Sequence, residues 1–479
     1  MTVKGPEQGA DSQACLGHQP GALRPIREWL NLFRANTPEL QAALRDLYGI
    51  NGQFIADRRQ RILQVLTLFA QTYGEDGEAL VIRSPGRINL MGRHIDHRGG
   101  FVNMMTIQRE IVVVASPRRD SQVHLVNVND EFESDYLDIA EELPHIRKFD
   151  DWRDYLSSER VRDVHSPSLG RWTNYVRAGV YRLCHHYPDR MLLGMNAAVG
   201  GDIPMGAGLS SSSALLVASS LALVIINSLD LRPAEFVDLC GEGEWFVGTR
   251  GGAADHAAVT LSVPGKVLPI TFLPFRPGES LEFPEGYQLV VCNSQVQAKK
   301  TQGARDLFNH RVACYEIGLA LFRKFFPRHT ETVEHLRDVT PENLGVSLAE
   351  FYQMLMHLPE MADRPFIRQL LQKRSQWLEE LFSAHKEPVT YPLRSVFLYG
   401  VAECQRGMIV RDLLERGDAE ALGRMMLISH DGDRIVRFDA NGAARLFSPP
   451  SDDRHLQNLS LMANSPSPEE RAAAALHWQ

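Results

Sequence analysis

Apolar residues recur at helical spacing twice near the start of the chain. Residues 26–47 carry Trp29, Leu30, Leu32, Phe33, Leu40, Leu44 and Leu47, with an interruption near Thr37-Pro38. Residues 58–73 carry Ile62, Leu63, Val65, Leu66 and Phe69. This spacing predicts two or three amphipathic helices packed on the main body. Gly74-Glu75-Asp76-Gly77 ends them. Residues 1 to about 24 are rich in Gly, Gln and Pro and read as loose chain.

The pattern then shortens. Residues 79–84 are an apolar run that predicts a strand. Residues 101–108 and 110–115 predict a strand pair, and 123–128 alternate as a further strand. A helix begins at Trp172-Thr173-Asn174-Tyr175-Val176 and ends near His185-His186. Residues 214–226 form an apolar run that reads as a buried helix. Residues 287–294 predict a buried strand, and from Asp306 to about His430 the chain reads as mostly helical. The tail is turn-rich at 448–453 and 465–468 and shows no clear closing strand.

Composition narrows the class. The 479 residues are 44% hydrophobic and 23% charged, which fits a soluble globular protein of two or three domains. Net charge is −8, and Lys and Arg are dispersed, so neither a nucleic-acid stripe nor a membrane-binding basic helix is expected. The run at 214–226 contains two serines and is too short to span a bilayer. The first residues are polar, so no signal peptide is expected. Six scattered cysteines without a C-x-x-C predict reduced thiols and a cytoplasmic setting. Adjacent imidazoles at His185-His186 diverge by about 100° on a helix and make a poor metal site. Asp431-Gly432-Asp433 begins like a calcium loop but lacks the ligands that must follow.

The densest chemistry lies at 200–214. Pro204, Gly206, Ala207, Gly208, Leu209, Ser210, Ser211 and Ser212 run directly into the apolar helix. Glycines allow tight turns and close approach of an anion. Free N–H groups and the helix dipole then point at the same place, which makes an anion cradle. No Walker A lysine accompanies it. Phosphoryl transfer also needs a cation, an acceptor hydroxyl and often a base. Ser212 with Glu244, or with Glu242, is a plausible magnesium pair, because Mg²⁺ prefers oxygen ligands. Asp255, on a turn after glycines, can take a proton from a substrate hydroxyl. Arg87 can offset transition-state charge.

These residues also carry a resemblance. Residues 84–100, from Ser84-Pro85-Gly86-Arg87 through Gly92-Arg93-His94-Ile95-Asp96-His97 to Gly99-Gly100, resemble the galactokinase signature. Residues 204–212 resemble the second motif of the GHMP kinases, the small-molecule kinases of galactose, homoserine, mevalonate and phosphomevalonate. Residues 248–256 resemble the family's G-x-P-C-G-I-M-D-Q segment, with Arg250-Gly251-Gly252 in place of P-C-G. Phe308-Asn309-His310-Arg311, followed by Cys314, resembles its Y-N-x-R-R-x-x-C segment.

The resemblance implies an α/β (α+β) fold of two lobes, ribosomal-S5-like then ferredoxin-like, with the active site in the cleft. Residues 1–75 would be a helical extension, 76–285 the lobe with ATP and sugar motifs, and 286–479 the second lobe. It implies Asp255 as catalytic base, Arg87 as transition-state arginine and residues 204–212 on ATP. It implies Ser212 and Glu244 (or Glu242) on Mg²⁺. Arg93, His94, Ile95, Asp96 and Phe308 would contact the sugar. The implied reaction is ATP-dependent phosphorylation at the anomeric hydroxyl of galactose or a relative.

Three departures qualify this. Arg93 stands where galactokinases have Glu. A guanidinium cannot accept a hydrogen bond from a C6 hydroxyl, but it pairs readily with a carboxylate. That favours a C6 acid such as galacturonate, and the His94–His97 stretch also resembles the galacturonokinase branch. Phe308 replaces a sugar-contacting Tyr. The family's third, Gly-rich motif is not found after Asp433, which predicts a C-terminal lobe short of strands, truncated or divergent. The alternative function is a sugar and nucleotide sensor of the same fold without turnover.

Overall fold

The computed structural model describes residues 15–165, 170–248, 251–292 and 302–478. Residues 1–14, the Thr249-Arg250 pair and the end of the 287–294 run lie outside them. The chain is mixed α/β and clusters into two compact units. The first comprises Met1–Ile88, Met105–Leu268 and Val291–Lys299, and the second Asn89–Met104, Pro269–Val290 and Lys300–Gln479.

In the first unit the early helical patterns become three helices, α1 (Ile26–Ala35), α2 (Pro38–Tyr48) and α3 (Gly52–Tyr73). Thr37 and Asn51 cap the second and third with side-chain oxygens, satisfying N–H groups that helix starts leave unpaired. A sheet follows in the order β1 (Arg24–Pro25), β2 (Glu78–Met91), β3 (Phe101–Pro117), β6 (Met195–Gly201), β4 (Gln122–Asn127), β5 (Asp135–Asp138). Alternation along the strands assigns the two faces. Ala79, Val81, Val112, Val114 and Ala198 pack under α1–α3. Leu80, Ile82, Val113, Ala115 and Val199 face the other way. There they meet α4 (Asn174–His186), α5 (Ser211–Ile226) and α6 (Pro233–Gly243). The early helices thus cover one face of this sheet over β2, β3 and β6.

Two strand expectations change. Residues 101–108 and 110–115 form one continuous strand, not a pair. The split left at Arg109 closes beside Glu110, whose carboxylate takes hydrogen bonds from Arg83 Nε and Tyr48 Oη, both at 2.5 Å. The strand at 79–84 runs on through Pro85 and Gly86 to Met91.

The second unit is mainly helical, as read from Asp306 onward. Its long members are α8 (Gln302–Phe325), α9 (Leu393–Glu415) and α10 (Ala419–Gly432). The buried strand expected from Tyr287 does not form over residues 287–292. Tyr287, Val290 and Val291 are exposed. An apolar run becomes a strand only beside a partner strand, and among the described residues it has none. A helix at Asp453–Ala463, capped by Asp452, sits in the tail that reads as turns. No helix among the described residues is long and apolar enough to cross a membrane.

Candidate active site

The loop after β6 holds the residues read as an anion cradle. Gly206, Gly208 and Ser210 all adopt positive φ, at 67°, 70° and 60°. Alternating left-handed residues turn successive N–H groups to one side, the geometry of an anion nest. Ser210 stands at the start of α5 but does not cap it with its side chain. Its hydroxyl donates instead to Asp255 Oδ2 at 2.5 Å. The base of the loop is anchored at Asp202, whose carboxylate takes Arg58 Nη2 at 2.5 Å and the Glu110 N–H at 3.0 Å. Burial pushes the Asp202 carboxyl up, but the Arg58 hydrogen bond and charge outweigh it, so it sits below the usual range.

Asp255 lies in the first turn of α7 (Ala254–Leu261), where a helix dipole favours an anion. Arg87, on β2, grips it in a fork: Nε to Oδ1 and Nη2 to Oδ2, both 2.6 Å. Arg87 Nη1 also donates to the Gly208 carbonyl at 2.6 Å, and the Arg87 N–H to the Leu209 carbonyl at 3.2 Å. Strand, loop and helix therefore meet at one arginine–aspartate pair, 168 residues apart in sequence.

Gly86 allows that meeting. A Cβ there would stand 2.9 Å from the Leu209 carbonyl oxygen and 3.0 Å from Ile107 Cδ1. Gly86→Ala is expected to cost about 1–3 kcal/mol through overpacking. A melting curve checks this, and an unchanged midpoint would show that the loop yields freely.

The two magnesium alternatives separate in space. Glu242 is held by Arg182 at 2.9 and 2.7 Å. Glu244 instead accepts Ser213 Oγ at 3.0 Å, in the first turn of α5 beside Ser212, and lies 3.1 Å from His256 Nε2. Among the described residues no cluster of three metal-ligating side chains occurs. A Mg²⁺ held by one carboxylate, a hydroxyl and substrate phosphates needs no such cluster, so this donor set fits it.

The remaining predicted residues gather in the second unit. Gly92 (φ 96°) turns the chain out of β2, and His94 sits at φ 61°. Asp96 takes His97 Nδ1–H at 3.2 Å. Burial pushes the Asp96 carboxyl up, but the His97 hydrogen bond and charge overcome this and hold it at about 2. Asp96 is therefore an ionised acceptor at neutral pH. Burial lowers His97 below its ordinary range. The Phe308 ring, on α8, lies 5.9 Å from the His94 ring and 6.2 Å from that of His97. Ile95 is fully buried against Gly100, so its side chain supports the turn and is not offered to a ligand. Arg93 Nη2 donates to the Ser429 carbonyl at 3.0 Å.

Sequence reasoning missed what holds this turn. Glu403, fully buried on α9, accepts the N–H groups of Gly92 at 2.9 Å and Arg93 at 3.0 Å. Asp433, read only as a failed calcium loop, pairs with Arg311, whose guanidinium lies 5.0 Å from the Tyr399 ring centre. The Phe308–Arg311 resemblance pointed at α8 but not at these partners.

Family comparisons agree with the motifs. Residues 67–117 match the galactokinase galactose-binding signature, and 174–262 match the GHMP kinases N terminal domain. A galactokinase of Dictyostelium discoideum is 27% identical over 315 residues, 65% of this chain and 58% of that protein. One from Chloroflexus aggregans is 29% identical over 357 residues, 74% of this chain and 73% of that protein. The chain thus spans less than two thirds of the Dictyostelium relative. The crystal structure of Lactococcus lactis galactokinase complexed with galactose aligns with 76% of this chain and 77% of its own, at 18% identity and TM-score 0.49.

Residues 174–262 thus carry a GHMP kinases N terminal domain and residues 67–117 a galactokinase galactose-binding signature. The relatives named above are galactokinases.

Proposed function

We propose that this chain is an ATP-dependent sugar kinase acting on the anomeric hydroxyl of galactose or a close relative such as galacturonate. The observation that carries the reading is the Arg87–Asp255–Ser210 constellation against the nest at Gly206–Ser210. Loop N–H groups and the start of α5 would hold the phosphates. Ser212 and Glu244 would hold a Mg²⁺, which when bound offsets phosphate charge. Asp255 would take the hydroxyl proton, kept in orientation by Arg87 and Ser210. Arg87 would offset charge gathering on the transferred group. Asp96 would accept from sugar hydroxyls. A cytoplasmic setting fits the six thiols.

Arg93 bears on the choice of sugar. Among the described residues no carboxylate pairs with its guanidinium, which supports a role on a C6 acid. ADP release with Mg²⁺-ATP, measured on galactose and galacturonate in parallel, tests both levels. Turnover on galacturonate that falls about 10- to 100-fold in Arg93→Ala, with galactose little changed, is the expected result. Turnover on galactose alone sinks the clamp. Silence with both sugars would favour the sensor.

A further inference from the structure

A cavity of about 380 Å³ lies within the first unit, between α2, β2, β3, α5 and the end of α7. Its size suits a small organic ligand rather than a few waters. One wall is apolar: Val217, Ala218 and Leu221 of α5. Ser84, Thr260 and Ser262 also line it, and their hydroxyls are buried without a hydrogen-bond partner among the described residues. Ser84 is only 2% exposed. A buried hydroxyl without a partner costs about 1–3 kcal/mol, so three at one cavity call for something that satisfies them.

Charge defines the ligand further. Arg83 lines the cavity, but its guanidinium is committed to Glu110 at 2.5 Å and faces the Tyr48 ring at 4.8 Å. The other charged lining residues, Arg45 and Asp46, are one of each sign. Nothing here favours an anion or a cation. An apolar wall together with hydroxyls among the lining suits a ring that has polar groups on its rim.

We propose that this cavity binds an uncharged heterocyclic compound of nucleoside size, at a site separate from the phosphate loop. Its lining shares a strand and a helix with the Arg87–Asp255 pair. Ser84 precedes Arg87 by three residues on β2, and Thr260 and Ser262 lie at the end of the helix that carries Asp255 in its first turn. Ile107 lines the cavity and is the residue a Cβ at Gly86 would meet.

The test is calorimetry and thermal shift on the full chain with uridine and adenosine as probes, without sugar or ATP. Binding is read without turnover, so it stands or falls separately from the kinase reading. The expected result is saturable binding of at least one probe. It should weaken about tenfold or more in Thr260→Val/Ser262→Ala, which keeps wall volume while removing two hydroxyls. Unaltered melting of that variant without probe would show that its fold is intact. A single milder variant, Ser262→Ala, covers the case where the pair unfolds. No binding of either probe overturns the proposal. Binding that survives the substitutions places the probe elsewhere and overturns it equally.

Discussion

Asp255→Asn is expected to lower kcat for sugar-dependent ADP release by about a thousandfold or more, with the fold retained. General base catalysis is worth about 10²–10⁴ in rate, and asparagine is nearly the same shape as aspartate. The carboxylate now accepts three hydrogen bonds: two from Arg87 and one from Ser210. An amide offers one acceptor oxygen and turns an NH₂ towards Arg87, so one arm of the fork meets a donor. The side chain is 30% exposed, so water reaches the disturbed pair and a melting shift of only a few degrees is expected. Loss of turnover with near-normal melting isolates the proton acceptor from the fold. Activity within tenfold of the parent chain would remove Asp255 from that role. Arg87 would then be the more important partner.

The sequence made this pair visible only by type. Arg87 and Asp255 each stand beside glycines, which marked their turns, but nothing local says that they touch. Periodicity reported what local spacing controls: α1–α3 from their apolar stripes, and α5 from its apolar run. It failed where a long-range partner decides. Arg109 reads as the gap between two strands until Arg83 and Tyr48 are placed beside its neighbour Glu110. Pro85-Gly86 reads as the end of a strand until the Leu209 carbonyl is seen to sit where a Cβ at residue 86 would crowd it. The apolar run from Tyr287 reads as buried strand, since pattern alone cannot report the lack of a neighbour to pair with. Arg58 stands at the start of an amphipathic helical pattern that says nothing of its partner, yet its side chain is 2% exposed and pairs with Asp202 at the base of the 204–212 loop. In each case the missing information is a contact more than twenty residues away in sequence, which no window of the chain contains.

Glu403 is the extreme case, 311 residues from the turn it holds. Glu403→Ala is expected to destabilise the second unit by about 3–5 kcal/mol, the range for breaking a buried charge pair. One carboxylate oxygen takes Gly92 N–H, Arg93 N–H and Ser429 Oγ, at 2.9, 3.0 and 3.0 Å. The other takes Arg406 Nε at 2.8 Å, and the Arg406 side chain is itself only 5% exposed. Alanine removes all four contacts, strips the Arg406 charge of this carboxylate and leaves a cavity. A fall in melting midpoint of roughly 5–15 °C follows for a unit of this size. Glu403→Gln separates support of the turn from charge. Its amide oxygen can still receive the two backbone N–H groups, but its NH₂ cannot answer Arg406. It should lose less stability, about 1–3 kcal/mol. If the turn at Gly92–Asp96 carries the sugar, the glutamine variant should raise KM for sugar several-fold more than KM for ATP. Equal rises in both would mean that Glu403 supports the fold at large, and an unchanged midpoint in Glu403→Ala would remove it as the anchor altogether.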